Sequence, residues 1–92
     1  MFKLSIITPR GIIFEGKIDS LAARGLEGGF EVYSAHAAML VAVDKGKLRV
    51  NSAHQHQVFD TASGVLEVNL EHDVVLLVDD AQLCSKGSQP TQ

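Results

Sequence analysis

The sequence predicts an all-β fold of roughly eight to ten short strands, closed as a sandwich or a barrel. Three observations carry that prediction. Apolar residues come in short runs, most alternating with polar ones, and Gly, Pro, Asp or Ser bounds each run. The chain has 92 residues, enough for one domain with a thin core. Hydrophobic residues make up 46% but aromatics only 5%, so aliphatic side chains must fill that core.

Residues 2–8 open the pattern, with Phe2, Leu4 and Ile6 on one face and Lys3 and Ser5 on the other. Pro9, Arg10 and Gly11 end it, because Pro fixes φ and Gly tolerates positive φ. A strand resumes at 12–15, and Gly16 suggests a bulge or bend before another at 17–23. Three glycines make residues 24–29 a loop, and 30–33 read as a short strand. Residues 34–43 are ambiguous. Ala37, Ala38, Met39 and Leu40 favour helix, but the segment is short and uncapped, so a turn followed by a strand is predicted. Asp44, Lys45 and Gly46 form a turn before a strand at 47–51. A polar connection at 52–56 leads into a strand at 57–62. Ser63 and Gly64 mark a turn or bulge, then Leu66, Val68 and Leu70 alternate along 65–70. Glu71, His72 and Asp73 close a hairpin with 74–78, whose unbroken apolar run predicts burial on both faces. One domain spans 1–84, and the polar residues 85–92 read as a disordered tail.

Composition excludes several function classes. Eight Lys and Arg against eleven Asp and Glu leave a net charge of −3, with no basic cluster to neutralise nucleic-acid phosphates or anionic lipid. A single cysteine, Cys84, forms no intramolecular disulfide and no Cys-rich zinc site. No apolar stretch approaches the roughly 20 residues of a membrane span, and the N-terminus lacks an apolar signal core. These features point to a soluble chain in a reducing compartment.

Motifs for bond chemistry are missing from the sequence. No phosphate loop, dinucleotide fingerprint, nucleophile elbow or paired-cysteine motif occurs, so a binding module is favoured over an enzyme, with no cofactor expected. His54 and His56 share a strand face, with Asp60 as a third ligand, in a pattern that faintly suggests a cupin-like metal site. An exposed polar hairpin tip is the stronger reading of the same residues. Cys84 sits beside the tail, where nothing positions a base for it. Asp79 and Asp80 point to opposite faces if they lie in a strand, and serve better as solubilising charge at a sheet edge. The Gly25 to Gly29 loop and the segment after it are the remaining candidates for contact with a partner.

Those residues also carry a resemblance. The run Ile6-Ile7-Thr8-Pro9-Arg10-Gly11-Ile12-Ile13-Phe14-Glu15-Gly16 resembles the opening of the rotary ATP synthase epsilon subunit, where TP-x-G-x-x-F-x-G precedes a strand. Gly25-Leu26-Glu27-Gly28 is similar to the family's G-x-E-G, and His36-Ala37 to its GHA. Lys45 to Val50 resembles PG-x-LRI, Gly64 to Val68 resembles GG-F-LEV, and Val75 to Asp79 resembles VTILAD. Six weak matches in the right order cover about residues 2 to 80.

The resemblance implies a non-catalytic, flattened sandwich of about ten strands, with hairpin and Greek-key connections, at the foot of the central stalk. It would bind the gamma subunit on one side and rest on the membrane ring, on the cytoplasmic face of a bacterial membrane. Glu27 and Gly28 correspond to the loop facing the ring, and His36 to the histidine near both partners. Glu31 and Met39 complete the expected contact set. Departures fall in that region: P-G-H-A-P is here Ser34-Ala35-His36-Ala37-Ala38, and Gly29 replaces a common acid while Glu31 adds one. Typical members continue into two helices that restrain hydrolysis, so helix-mediated inhibition and ATP binding are expected to be absent. Sheet that normally meets gamma is expected to drive self-association of the isolated chain.

Overall fold

A computed structural model describes residues 1–25, 28–33, 38–53 and 55–87. They form ten strands: β1 (Phe2–Thr8), β2 (Gly11–Ile18), β3 (Ser20–Gly25), β4 (Gly28–Val32), β5 (Met39–Val43), β6 (Gly46–Ser52), β7 (Gln55–Thr61), β8 (Gly64–Val68), β9 (Val74–Val78) and β10 (Ala81–Gly87). The predicted sandwich is what they build. One layer runs β4-β3-β6-β7-β10 and the other β5-β8-β9-β1-β2. A single residue pair, Gly25 with Val43, joins the layers between β3 and β5. Neighbours are antiparallel except β1 and β9, which run parallel.

Alternation decides what is buried. Leu4, Ile6, Leu66 and Leu76 point inward from the second layer, and Leu21, Leu48 and Val50 from the first. Removing each such side chain from water contributes about 2 kcal/mol. Phe14 and Phe59 meet edge to face across the gap, with ring centroids 5.8 Å apart. The β1–β2 turn is held by Thr8, whose Oγ1 accepts from Arg10 N at 3.1 Å and donates to Gly11 O at 3.3 Å. Gly11, at φ +125°, supplies the positive dihedral expected there.

Several boundaries differ from the periodicity, each for a local reason. Gly16 lies in register opposite Leu4; the bulge falls at Ile13, because Ile6 pairs with Phe14 and Ile7 with Ile12. The break comes instead at Asp19, where the chain changes layers. There Asp19 N donates to Asn51 O at 2.7 Å and Asn51 Nδ2 to Ser20 Oγ at 3.1 Å. Strand β8 stops at Val68 because the Asn69 side chain accepts from Glu71 N and Asp73 N, folding an Asx turn with His72 at φ 67°. Strand β9 is buried on one face only: Val74, Leu76 and Val78 are inside, while Leu77 is 47% exposed.

A tenth strand escapes periodicity. Ala81 is its one buried residue among those with described side chains, so β10 is defined by pairing with β7 rather than by pattern. Its backbone continues through residues 85–87 of the predicted tail, which pair with Val58, Gln57 and His56.

Candidate partner-binding surfaces

The register of the second layer lines up one residue from each strand. Ala42 pairs with Val65, Val65 with Leu77, Leu77 with Ile7, and Ile7 with Ile12. All five are apolar and all lie on the outer face, opposite the core residues of the same strands. Ile12 is 59% exposed, Leu77 47% and Val65 40%. Four strand spacings of about 4.8 Å make this an apolar stripe about 19 Å long. Periodicity alone does not single it out as a site. Its trace in the sequence is the doubled apolar pairs Ile6-Ile7, Ile12-Ile13 and Leu76-Leu77, where a one-sided strand should alternate.

Gly64 positions part of this stripe. A Cβ there would stand 2.0 Å from the Leu77 carbonyl oxygen, so only glycine lets β8 approach β9 this closely.

The outer face of the first layer is polar. It carries Arg24, Glu31, Lys47, Arg49, Asn51, Asp60 and Gln82 around the smaller apolar Ala22 and Val58. Lys47 Nζ lies 2.9 Å from Asp60 Oδ1. That hydrogen bond raises the lysine pKa above its usual value and lowers that of the aspartate. The exposed Cys84 Sγ sits 3.6 Å from the same ammonium.

Three of the five expected contact residues come together. Gly28, Glu31 and Met39 line one open groove of about 670 Å³ between β4 and β5, floored by Phe30 and Val41. Glu31 accepts a hydrogen bond from the Tyr33 hydroxyl, which raises the tyrosine pKa above its usual value. Met39 is 43% exposed at the start of β5. Glu27 and His36 lie outside the described residues. So does His54 of the suggested metal set, while Asp60 of that set is already paired with Lys47. Among the described residues no group of three or more His, Cys, Asp and Glu gathers to hold a metal ion. Asp79 and Asp80 lie between strands rather than in one, and Asp80 pairs with Arg10 across the β1–β2 turn.

Residues 1–83 match a known family model, described as the ATP synthase, Delta/Epsilon chain, beta-sandwich domain. The chain belongs to the ATP synthase delta/epsilon family. The ATP synthase epsilon chain of Chlorobium limicola is 36% identical over 80 residues, covering 86% of this chain and 90% of the relative. That of Chlorobaculum tepidum is 38% identical over 76 residues, covering 82% and 86%. Helicobacter pylori strain Shi470 has an epsilon chain 30% identical over 88 residues, covering 96% and 71%. Among solved structures, a chain in the Euglena gracilis mitochondrial ATP synthase OSCP/F1/c-ring assembly superposes with a TM-score of 0.79. At 17% identity that likeness is one of fold; it covers 89% of this chain and about half, 52%, of the other. A chain of the Tetrahymena thermophila mitochondrial central stalk and c-ring gives a TM-score of 0.74 at 15% identity, covering 88% and 65%. Epsilon chains are non-catalytic subunits, so these surfaces bear on binding rather than on bond chemistry.

Proposed function

We propose that this epsilon-type chain is a rotor subunit of the central stalk that couples rotation of the membrane ring to gamma during ATP synthesis. The observation that carries the reading is the exposed stripe Ala42, Val65, Leu77, Ile7 and Ile12. An apolar band this long on a small domain is expensive to leave in water and marks an interface. Gamma is its occupant in this proposal. Flat sheet braced by a packed core also suits a contact that must transmit torque without yielding.

The ring contact falls to the groove and loop around Gly28, Glu31 and Met39, together with Glu27 and His36. Polar, glycine-rich loops at a sandwich end adapt to a partner's loops better than an apolar face does. The complex would place the chain peripherally at a bacterial cell membrane, on the cytoplasmic side, without lipid insertion of its own.

Co-expression with the gamma subunit of the same ATP synthase tests this directly. The two chains are expected to co-purify as a stoichiometric complex. Recovery of gamma without this chain, under conditions where other epsilon chains are retained, would overturn the proposal.

A further inference from the structure

Beyond the stripe, the second layer carries a second apolar feature with a charge of one sign. Ala38, Met39 and Leu40 at the start of β5 face the β8–β9 turn across an open cleft of about 690 Å³, whose other wall is Val68, Asn69 and Leu70. Leu40 is 72% exposed and Leu70 84%. The turn that carries Leu70 is tied by its own hydrogen bonds. Asn69 Oδ1 accepts Glu71 N at 2.9 Å and Asp73 N at 3.1 Å, and His72 N donates to Asn69 O at 3.0 Å. These bonds fix the backbone of the turn, and with it the point from which the Leu70 side chain leaves the chain.

Glu67 and Glu71 also line the cleft, and among its described lining residues there is no cation. Leu40 of β5 and Glu67 of β8 are register partners, so an apolar and an acidic side chain stand side by side in the cleft. We infer that this cleft is a docking site for a basic amphipathic helix. Such a helix would set an apolar side chain between Leu40 and Leu70, and lay Lys or Arg against Glu67 and Glu71. An acidic segment of the same shape meets like charge on the rim and is rejected. This deepens the rotor reading by adding a partner chemistry beside the stripe; it shares no residue with the stripe, and shares Met39 and Leu40 with the groove assigned to the ring.

The test uses the full chain labelled with ¹⁵N and titrated with a designed leucine–lysine helical peptide of about 15 residues, a length at which helices become stable. The control is the same peptide with glutamate in place of lysine. Amide shifts are expected at Met39, Leu40, Glu67 and Leu70 with the lysine peptide, and binding at least about tenfold weaker with the glutamate peptide. The doubly substituted Glu67→Gln, Glu71→Gln chain should lose about tenfold in affinity, and Leu70→Ser, at a site that supports no core, a similar factor. Equal binding of the two peptides would overturn the inference, as would shifts confined to Val65, Leu77 and Ile7. Loss of gamma from stripe variants is read separately, so either proposal can fail while the other stands.

Discussion

The two outer faces of this sandwich come from the same alternation rule and look nothing alike. On the first layer, outward positions are filled by Arg24, Lys47, Arg49 and Asp60, and a Lys47–Asp60 pair sits in open water. On the second, outward positions carry Ala42, Val65, Leu77, Ile7 and Ile12 in one line. Both faces fold equally well, because stability is decided by the inner residues Leu4, Ile6, Leu66, Leu76, Leu21 and Leu48. The exposed apolar line of the second layer is the feature on which the rotor proposal rests.

The largest expected effect breaks the apolar face from behind. Gly64→Ala places a methyl group 2.0 Å from the Leu77 carbonyl, so β8 and β9 cannot keep their spacing. A loss of about 3 kcal/mol or more is expected in denaturant unfolding, and failure to fold is the limiting case. Gly28→Ala makes a useful contrast. Its added carbon meets nothing within 4 Å, leaving only the strain of φ +125°.

Next comes self-association. If the stripe is sticky when uncovered, the isolated chain should show a scattering mass that rises with concentration. Leu77→Asp should abolish that rise with little change in unfolding midpoint, since Leu77 is half exposed. Arg49→Glu on the other face should leave it intact. A rise that persists in the first variant and vanishes in the second would reverse the assignment of the faces.

A smaller effect reports on the groove. The chain has one tyrosine, so ultraviolet titration reads Tyr33 alone. Its midpoint should lie above 10.0, because ionisation would forfeit the hydrogen bond to Glu31 and place two negative charges together. Glu31→Gln should bring the midpoint back toward the ordinary value. No change would place the two side chains apart in solution.

The smallest effect belongs to the polar face. Asp60 has a lowered folded pKa, so its pair with Lys47 adds stability above the unfolded value near 3.8 and loses it as pH falls through the folded one. Lys47 has a raised folded pKa, so its share is complete below 10.5 and is lost as pH rises through the folded value. Both groups are exposed, and water screens them. Lys47→Ala and Asp60→Asn should each leave the unfolding midpoint within measurement error.

How much of this the sequence disclosed depends on whether the signal was local. Strands β1 and β6 stood out because their inner residues recur every second position within one segment, whereas the unbroken apolar run of β9 misread as burial on both faces. Strand β10 did not stand out, since Ala81 is the one residue among its described side chains that joins the core, and its definition lies in pairing with β7. The resemblance in residues 2 to 80 pointed correctly to the family. The stripe was hidden for a physical reason. Doubled apolar residues such as Leu76-Leu77 read equally as two-sided burial or as a one-sided strand with a sticky exterior, and only the register of five strands decides between them. Gly28, Glu31 and Met39 were named from resemblance, yet that they line one groove follows from β4 and β5 lying side by side.

In the proposed assembly the apolar face of the second layer is the one that holds gamma. Calorimetric titration of gamma with the wild-type chain, Leu77→Asp and Arg49→Glu measures it most directly. An aspartate at the middle of a buried apolar contact should weaken binding about a hundredfold, some 2.7 kcal/mol, while Arg49→Glu stays within about twofold of wild type. Undiminished binding by Leu77→Asp, with loss in Arg49→Glu, would put gamma on the first layer instead.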